Sequence, residues 1–192
     1  TYGGVLTMPL SGAAPRKQIH TREIRCTGYE RDDGLWDIEG RITDVKTYSF
    51  ETADRGGINA GEPMHDMWVR LTLDDDLVVH KAEASTDWAP HTMCADITDG
   101  VASLKGERIA NGWTKTVHGK IGRTLGCTHI VQLLVGPVAT TAYQAFTPIR
   151  NRRRKTQGGG AAKPNFLGTC HAYAPDSQVV KRMWPDHYTG AD

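Results

Sequence analysis

Met67-Trp68-Val69-Arg70-Leu71-Thr72-Leu73-Asp74 alternates apolar and polar residues without a break. Successive side chains of an extended chain point to opposite faces. Met67, Val69, Leu71 and Leu73 therefore share one face, and Trp68, Arg70 and Thr72 the other. The pattern predicts a half-buried strand. Asp74-Asp75-Asp76 turns the chain, and Leu77 to Thr86 returns beside it. Upstream, Trp36, Ile38, Gly40 and Ile42 alternate with Asp37, Glu39 and Arg41, giving a strand that can continue to Phe50. Arg31-Asp32-Asp33-Gly34 signals a turn before it. Arg22 to Tyr29 reads as its hairpin partner, with Ile24 and Cys26 on one face and Cys26 in the core. Two such hairpins predict one antiparallel sheet of about four strands. The polar, Gly-rich stretch from Glu51 to Pro63 is a loop.

Beyond the strands the period changes. Asp96 to Lys105 is a short helix candidate stopped at Gly106. Trp113, Val117 and Ile121 fall four apart and predict a helix over 113–121. A third helix begins after Cys127 and runs to Phe146, with a kink or break at Gly136-Pro137. Strands first and helices after predict an α+β fold, the N-terminal hairpins covered by helices from the C-terminal half.

The 192 residues suffice for one domain with appendages. The reading is an N-terminal arm over 1–20, a single α+β domain over 21–149, a basic Gly-rich linker over 150–164, and a tail over 165–192. Met183-Trp184-Pro185 would anchor that tail back on the domain. The start is rich in Gly and small residues and lacks a basic segment followed by an apolar one, so it reads as a loose arm and not a signal peptide. A net charge of +1 gives no global field to recruit nucleic acid or a membrane surface. No run of about 20 apolar residues exists to span a bilayer. The basic cluster from Arg150 to Lys155 lacks interleaved aromatic residues and reads as a solvated loop. Four cysteines, Cys26, Cys94, Cys127 and Cys170, are expected as reduced thiols in a cytoplasmic protein. The expected partner is a small-molecule substrate, and a homo-oligomer is allowed.

The chemistry gathers around Gly126-Cys127-Thr128-His129, at the mouth of the apolar run Ile130-Val131-Gln132-Leu133-Leu134. At a helix entrance the backbone is not yet helical, its N–H groups are free, and the dipole favours a thiolate. Cys127 and His129 therefore read as metal ligands, or as a nucleophile and its base. Three more elements can converge there: His65-Asp66 before the clean strand, Cys94 after the second hairpin, and Cys170-His171 in the tail. Zinc or ferrous iron wants three or four such ligands. The expected ligands are Cys94, Cys127, His129 and Asp66, with Asp66, His65 and His129 as catalytic groups. No Cys-x-x-Cys pair marks a zinc finger. His20 and His80 read as structural or surface residues, and His118 and His187 carry no role. Glu62 has carboxylate chemistry with less positional support than Asp66.

Arg31-Asp-Asp-Gly-Leu-Trp-Asp-Ile-Glu-Gly40, Ala60-Gly-Glu-Pro-Met-His-Asp-Met67 and Gly126-Cys-Thr-His129 resemble a bacterial family of unknown function across nearly the whole chain. Residues 64 to 146 are also similar to the iron–sulfur scaffold proteins IscU and NifU. In those proteins an Asp precedes an alternating strand, the hairpin partner leads to a Cys, and a later Cys opens a long helix. Asp66, Cys94 and Cys127 stand in that order here. The resemblance implies an IscU/NifU-like core with a metal site at those three residues. Two departures bear on its function: Met64 stands near the scaffold's first cysteine, and Gly126 replaces the histidine before the last. Cluster assembly needs three thiolates. The expectation is a metal-dependent enzyme with one zinc or iron ion, a lyase or hydrolase acting on an apolar or aromatic small molecule, for example by retro-aldol cleavage in bacterial catabolism. The alternatives are a metal or iron–sulfur carrier and a metal-free Cys/His thiol enzyme.

Overall fold

A computed structural model of the chain describes residues 10–156 and 167–191. Strands form in chain order as β1 (His20–Glu30), β2 (Trp36–Lys46), β3 (Pro63–Leu73) and β4 (Val79–Trp88). They pair as an antiparallel meander, each strand beside the next. The alternation decides the two faces. Trp36, Ile38 and Ile42 of β2 and Met67, Val69, Leu71 and Leu73 of β3 are buried on one of them. The opposite face is polar and laced with ion pairs: Arg70 bonds Glu39, and the Arg41 guanidinium lies 4.7 Å over the Trp68 ring.

β2 stops at Lys46, short of the expected Phe50. The pairing with β3 shifts register between Asp44 and Val45, and a bulge there ends the ladder. Phe50 instead makes an isolated bridge to Ile58 across the loop. The expected helix over 96–105 is a 3₁₀ segment, Thr98–Leu104. Its two buried residues, Val101 and Leu104, are three apart, the spacing that aligns side chains in a 3₁₀ turn.

Helix α1 spans Trp113–Ile121, as its four-residue period requires. Helix α2 (Thr128–Leu133) follows Cys127, and α3 (Ala139–Thr156) runs past Phe146. Gly136-Pro137 does not break the run between them. Leu134–Val138 widens into a π-helical segment with Pro137 inside it. Proline has no N–H to donate, and a widened turn accommodates the missing bond. Phe146 of α3 is fully buried and stacks on Trp36, with centroids 4.7 Å apart.

Gly40 lets the π segment approach the sheet. A Cβ there would stand 2.6 Å from Val138 Cγ2 and 3.3 Å from Val69 Cγ2. Gly40→Leu is therefore expected to overpack this layer and cost about 1–3 kcal/mol in urea unfolding. Unchanged stability would mean that helix and sheet are not in close contact there.

The chain divides into two compact units between Thr147 and Pro148. The second contains α4 (Gln178–Met183), capped by Ser177, whose Oγ accepts the Val180 N–H at 3.1 Å. Tyr173 meets the edge of Trp184 within this unit, with ring centroids 5.7 Å apart. Residues 150–156, expected as the start of a linker, continue α3. The remainder of that linker (157–164), Phe166 and the first nine residues of the arm lie outside the described residues. Among the described residues no helix is long and apolar enough to cross a membrane.

Candidate metal centre

The buried face of β2 reads Trp36, Ile38, Gly40, Ile42 and then Asp44. Asp44 stands opposite Arg22 of β1 and His65 of β3. The adjacent rung on the same face is Ile24, Ile42 and Met67. An apolar stripe thus ends in one rung of guanidinium, carboxylate and imidazole.

Asp44 is fully buried and densely partnered. Arg22 donates from Nε to Oδ1 and from Nη2 to Oδ2, both at 2.8 Å. His20 Nε2 lies 2.8 Å from Oδ1, and His65 Nδ1 lies 3.1 Å from Oδ2. Arg22 Nη1 also donates to Gln132 Oε1 of α2 at 3.0 Å, tying β1 to the helix above.

His129 comes from the first turn of α2. Cys127 caps that helix in an extended conformation, φ −106° and ψ 133°. Gly126 is needed just before it, because a Cβ there would run into the Ile121 carbonyl. His129 Nε2 lies 3.9 Å from Asp44 Oδ2, and its ring meets that of His65 with centroids 3.9 Å apart. One ligand atom from each of Asp44, His65 and His129 falls within 4.8 Å of the others. On the other edge of the His129 ring, Nδ1 lies 3.6 Å from Cys127 Sγ, which is 3.6 Å from Met67 Sδ.

The surroundings set the charge of these groups. Burial would raise the Asp44 carboxyl, but the Arg22 guanidinium, with His20 and His65, holds it at about 2. Burial lowers His65 against the pull of Asp44. Burial, with His65 and Arg22 nearby, brings His129 down to about 4. At neutral pH the cluster offers an ionised carboxylate and two neutral imidazoles with free lone pairs. Two imidazoles and a carboxylate form the donor set of zinc sites with an open position and of facial iron sites.

Of the expected site residues, the structure brings His65 and His129 together and sets Cys127 beside His129. Asp66 does not join them. It follows His65 on an alternating strand, so its side chain turns to the opposite face. There Arg41 donates from Nε to Asp66 Oδ1 at 2.8 Å and also engages Oδ2. Asp66 therefore stands outside the three-residue cluster. Cys94 lies in a 3₁₀ turn, Thr92–Ala95, outside the three-residue cluster. Burial raises its thiol, offset in part by a backbone hydrogen bond with His91. Cys170 and His171 belong to the second unit. Glu62 accepts the Asn59 N–H within its own loop, and His80 pairs with Asp74.

Asp44, Arg22 and His20 are absent from the expected site, and His20 belongs to β1 rather than to an arm. One signal marked Asp44 in advance. The alternation Trp36, Ile38, Gly40, Ile42 reaches an aspartate at the next inward position.

A four-stranded meander under helices, with a buried carboxylate–imidazole cluster at one end of its covered face, makes this an α+β protein with a candidate metal centre. The chain belongs to the DUF2889 family, described as a protein of unknown function, whose family model matches residues 20–144. That span contains every residue of the cluster. No curated protein and no solved structure matches the chain.

Proposed function

We propose that the protein is a metal-dependent enzyme, a lyase or hydrolase acting on an apolar or aromatic small molecule, with one zinc or iron ion held by Asp44, His65 and His129. The observation that carries this reading is the convergence of one carboxylate and two imidazoles within 4.8 Å in a largely buried setting. A divalent ion bound there would act as a Lewis acid on a substrate oxygen or on water. Metal analysis of protein purified without an affinity tag tests the assignment. About one zinc or iron per chain is expected in wild type, lost in His65→Ala and retained in Asp66→Asn. Wild type without metal under reducing, chelator-free conditions would overturn it.

A second reading rests on the sulfur side. Cys127 Sγ, His129 and Asp44 stand in the order thiol, imidazole, carboxylate, with spacings of 3.6 and 3.9 Å. In metal-free protein His129 would take the thiol proton and Asp44 would orient the ring. Iodoacetamide should then modify Cys127 faster than the exposed Cys170, and His129→Ala should abolish that preference. Equal rates in wild type would exclude the thiol reading.

An IscU/NifU-like core and a cytoplasmic setting form part of the proposal. Strands preceding helices and Cys127 at a helix mouth support the first. Four free thiols support the second. A carrier role has less support, because Cys94 lies outside the cluster and Asp66 is paired with Arg41.

A further inference from the structure

We propose that the sulfur edge of His129 is a second, thiophilic metal position, held by Cys127 Sγ, Met67 Sδ and His129 Nδ1, and that it takes Cu(I). The position lies at the Nδ1 edge of His129, opposite the Nε2 edge that faces Asp44, and the neutral ring, with one lone pair, serves one position at a time.

Three observations support it. The first is spacing. With bonds of about 2.3 Å to sulfur and about 2.0 Å to nitrogen, a trigonal or tetrahedral centre sets its ligand atoms about 3.5–4.0 Å apart. Cys127 Sγ lies 3.6 Å from both His129 Nδ1 and Met67 Sδ, inside that range. The second is the donor set. A thioether is a poor ligand for hard or borderline ions, whereas thiolate with thioether selects Cu(I). Met67 is fully buried, between His65 and Val69 on the same face of β3. Its register beside Ile42, one rung in from His65, aims its sulfur at the Cys127 cap.

The third is the division of chemistry around the ring. The Nε2 edge of His129 faces the Asp44 carboxylate, and the Nδ1 edge faces sulfur. The oxygen–nitrogen cluster comprises Asp44, His65 and His129, without Cys127. One imidazole therefore separates a position suited to zinc or iron from a position suited to Cu(I). On binding, the Cys127 thiol releases its proton to solvent, a Cu–S bond forms, and the copper keeps its valence.

The test is an anaerobic titration of reduced, metal-free full chain with Cu(I), in competition with bicinchoninate, read by loss of the coloured Cu(I) chelate. Wild type should withdraw about one Cu(I) per chain. Cys127→Ser should weaken binding by about 100-fold or more, and Met67→Leu by about tenfold. Met67→Leu conserves volume, so its circular dichroism should match wild type. Cys170→Ser and His65→Ala should bind Cu(I) like wild type. Failure of wild type to withdraw copper overturns the proposal. So does wild-type affinity in both sulfur variants, or loss of Cu(I) in His65→Ala. Zinc content measured on the same proteins reports the Asp44 cluster separately, because His65→Ala should lose zinc while keeping Cu(I).

Discussion

Asp44→Ala is expected to destabilise the metal-free protein by about 2–4 kcal/mol. The carboxylate is fully buried and accepts two hydrogen bonds from Arg22, with His20 and His65 also against it. Removing it strands a guanidinium and two imidazoles at the end of an apolar stripe. Truncating one partner of a buried charge pair costs more than the pair contributes, because the other charge is left uncompensated. Arg22 is partly exposed, so water recovers some of that cost, and the range is set below that for a fully enclosed pair. Asp44→Asn should fall between wild type and Asp44→Ala, since an amide still accepts a hydrogen bond but carries no charge. Urea unfolding of the three proteins checks this. A loss under about 1 kcal/mol in Asp44→Ala would show that the cluster contributes little to the fold.

His129→Ala is expected to lower zinc affinity by more than about 100-fold, with Cu(I) affinity falling as well. The ring is the one group whose two nitrogens face the two proposed positions. It supplies Nε2 beside Asp44 Oδ2 and Nδ1 beside Cys127 Sγ. His65→Ala should abolish zinc binding alone, so the pair of variants separates the two positions. The fold should survive His129→Ala, because His129 sits in the first turn of α2, with Ile130, Val131 and Leu133 holding that helix in the core. Competition with a chromophoric zinc chelator measures the effect. Zinc affinity within about threefold of wild type would remove His129 from the ligand set.

The strands were legible because their period is two and their lengths exceed seven residues. The alternation in β2 and β3 assigned both faces, and the four-residue spacing in α1 assigned a helix with its observed ends. Local preference misjudged the C-terminal end of β2 and the turn at Thr98, where a bulge and a two-residue apolar contact prevail over pattern. It also expected a kink or break at Gly136-Pro137, where a π segment instead carries the helical run past the proline and absorbs the missing hydrogen bond.

For the candidate site, the sequence singled out His65, Cys127 and His129 along with Asp66 and Cys94, because reactive side chains at a strand start and a helix mouth are conspicuous in one dimension. It chose Asp66 and passed over Asp44 for the same reason: adjacency in the chain looks like proximity. In a strand, adjacency means the opposite, and Asp66 faces Arg41 across the sheet from His65. Asp44 lies 21 residues from His65 and 85 from His129 in the chain, and only strand register brings the three together. Two of the three residues of the candidate cluster, His65 and His129, were thus visible in the local sequence. Which residues share one space was decided by the pairing of β1, β2 and β3 and by the docking of α2, because contacts between distant residues depend on how separate elements pack, which the pattern within one element does not encode.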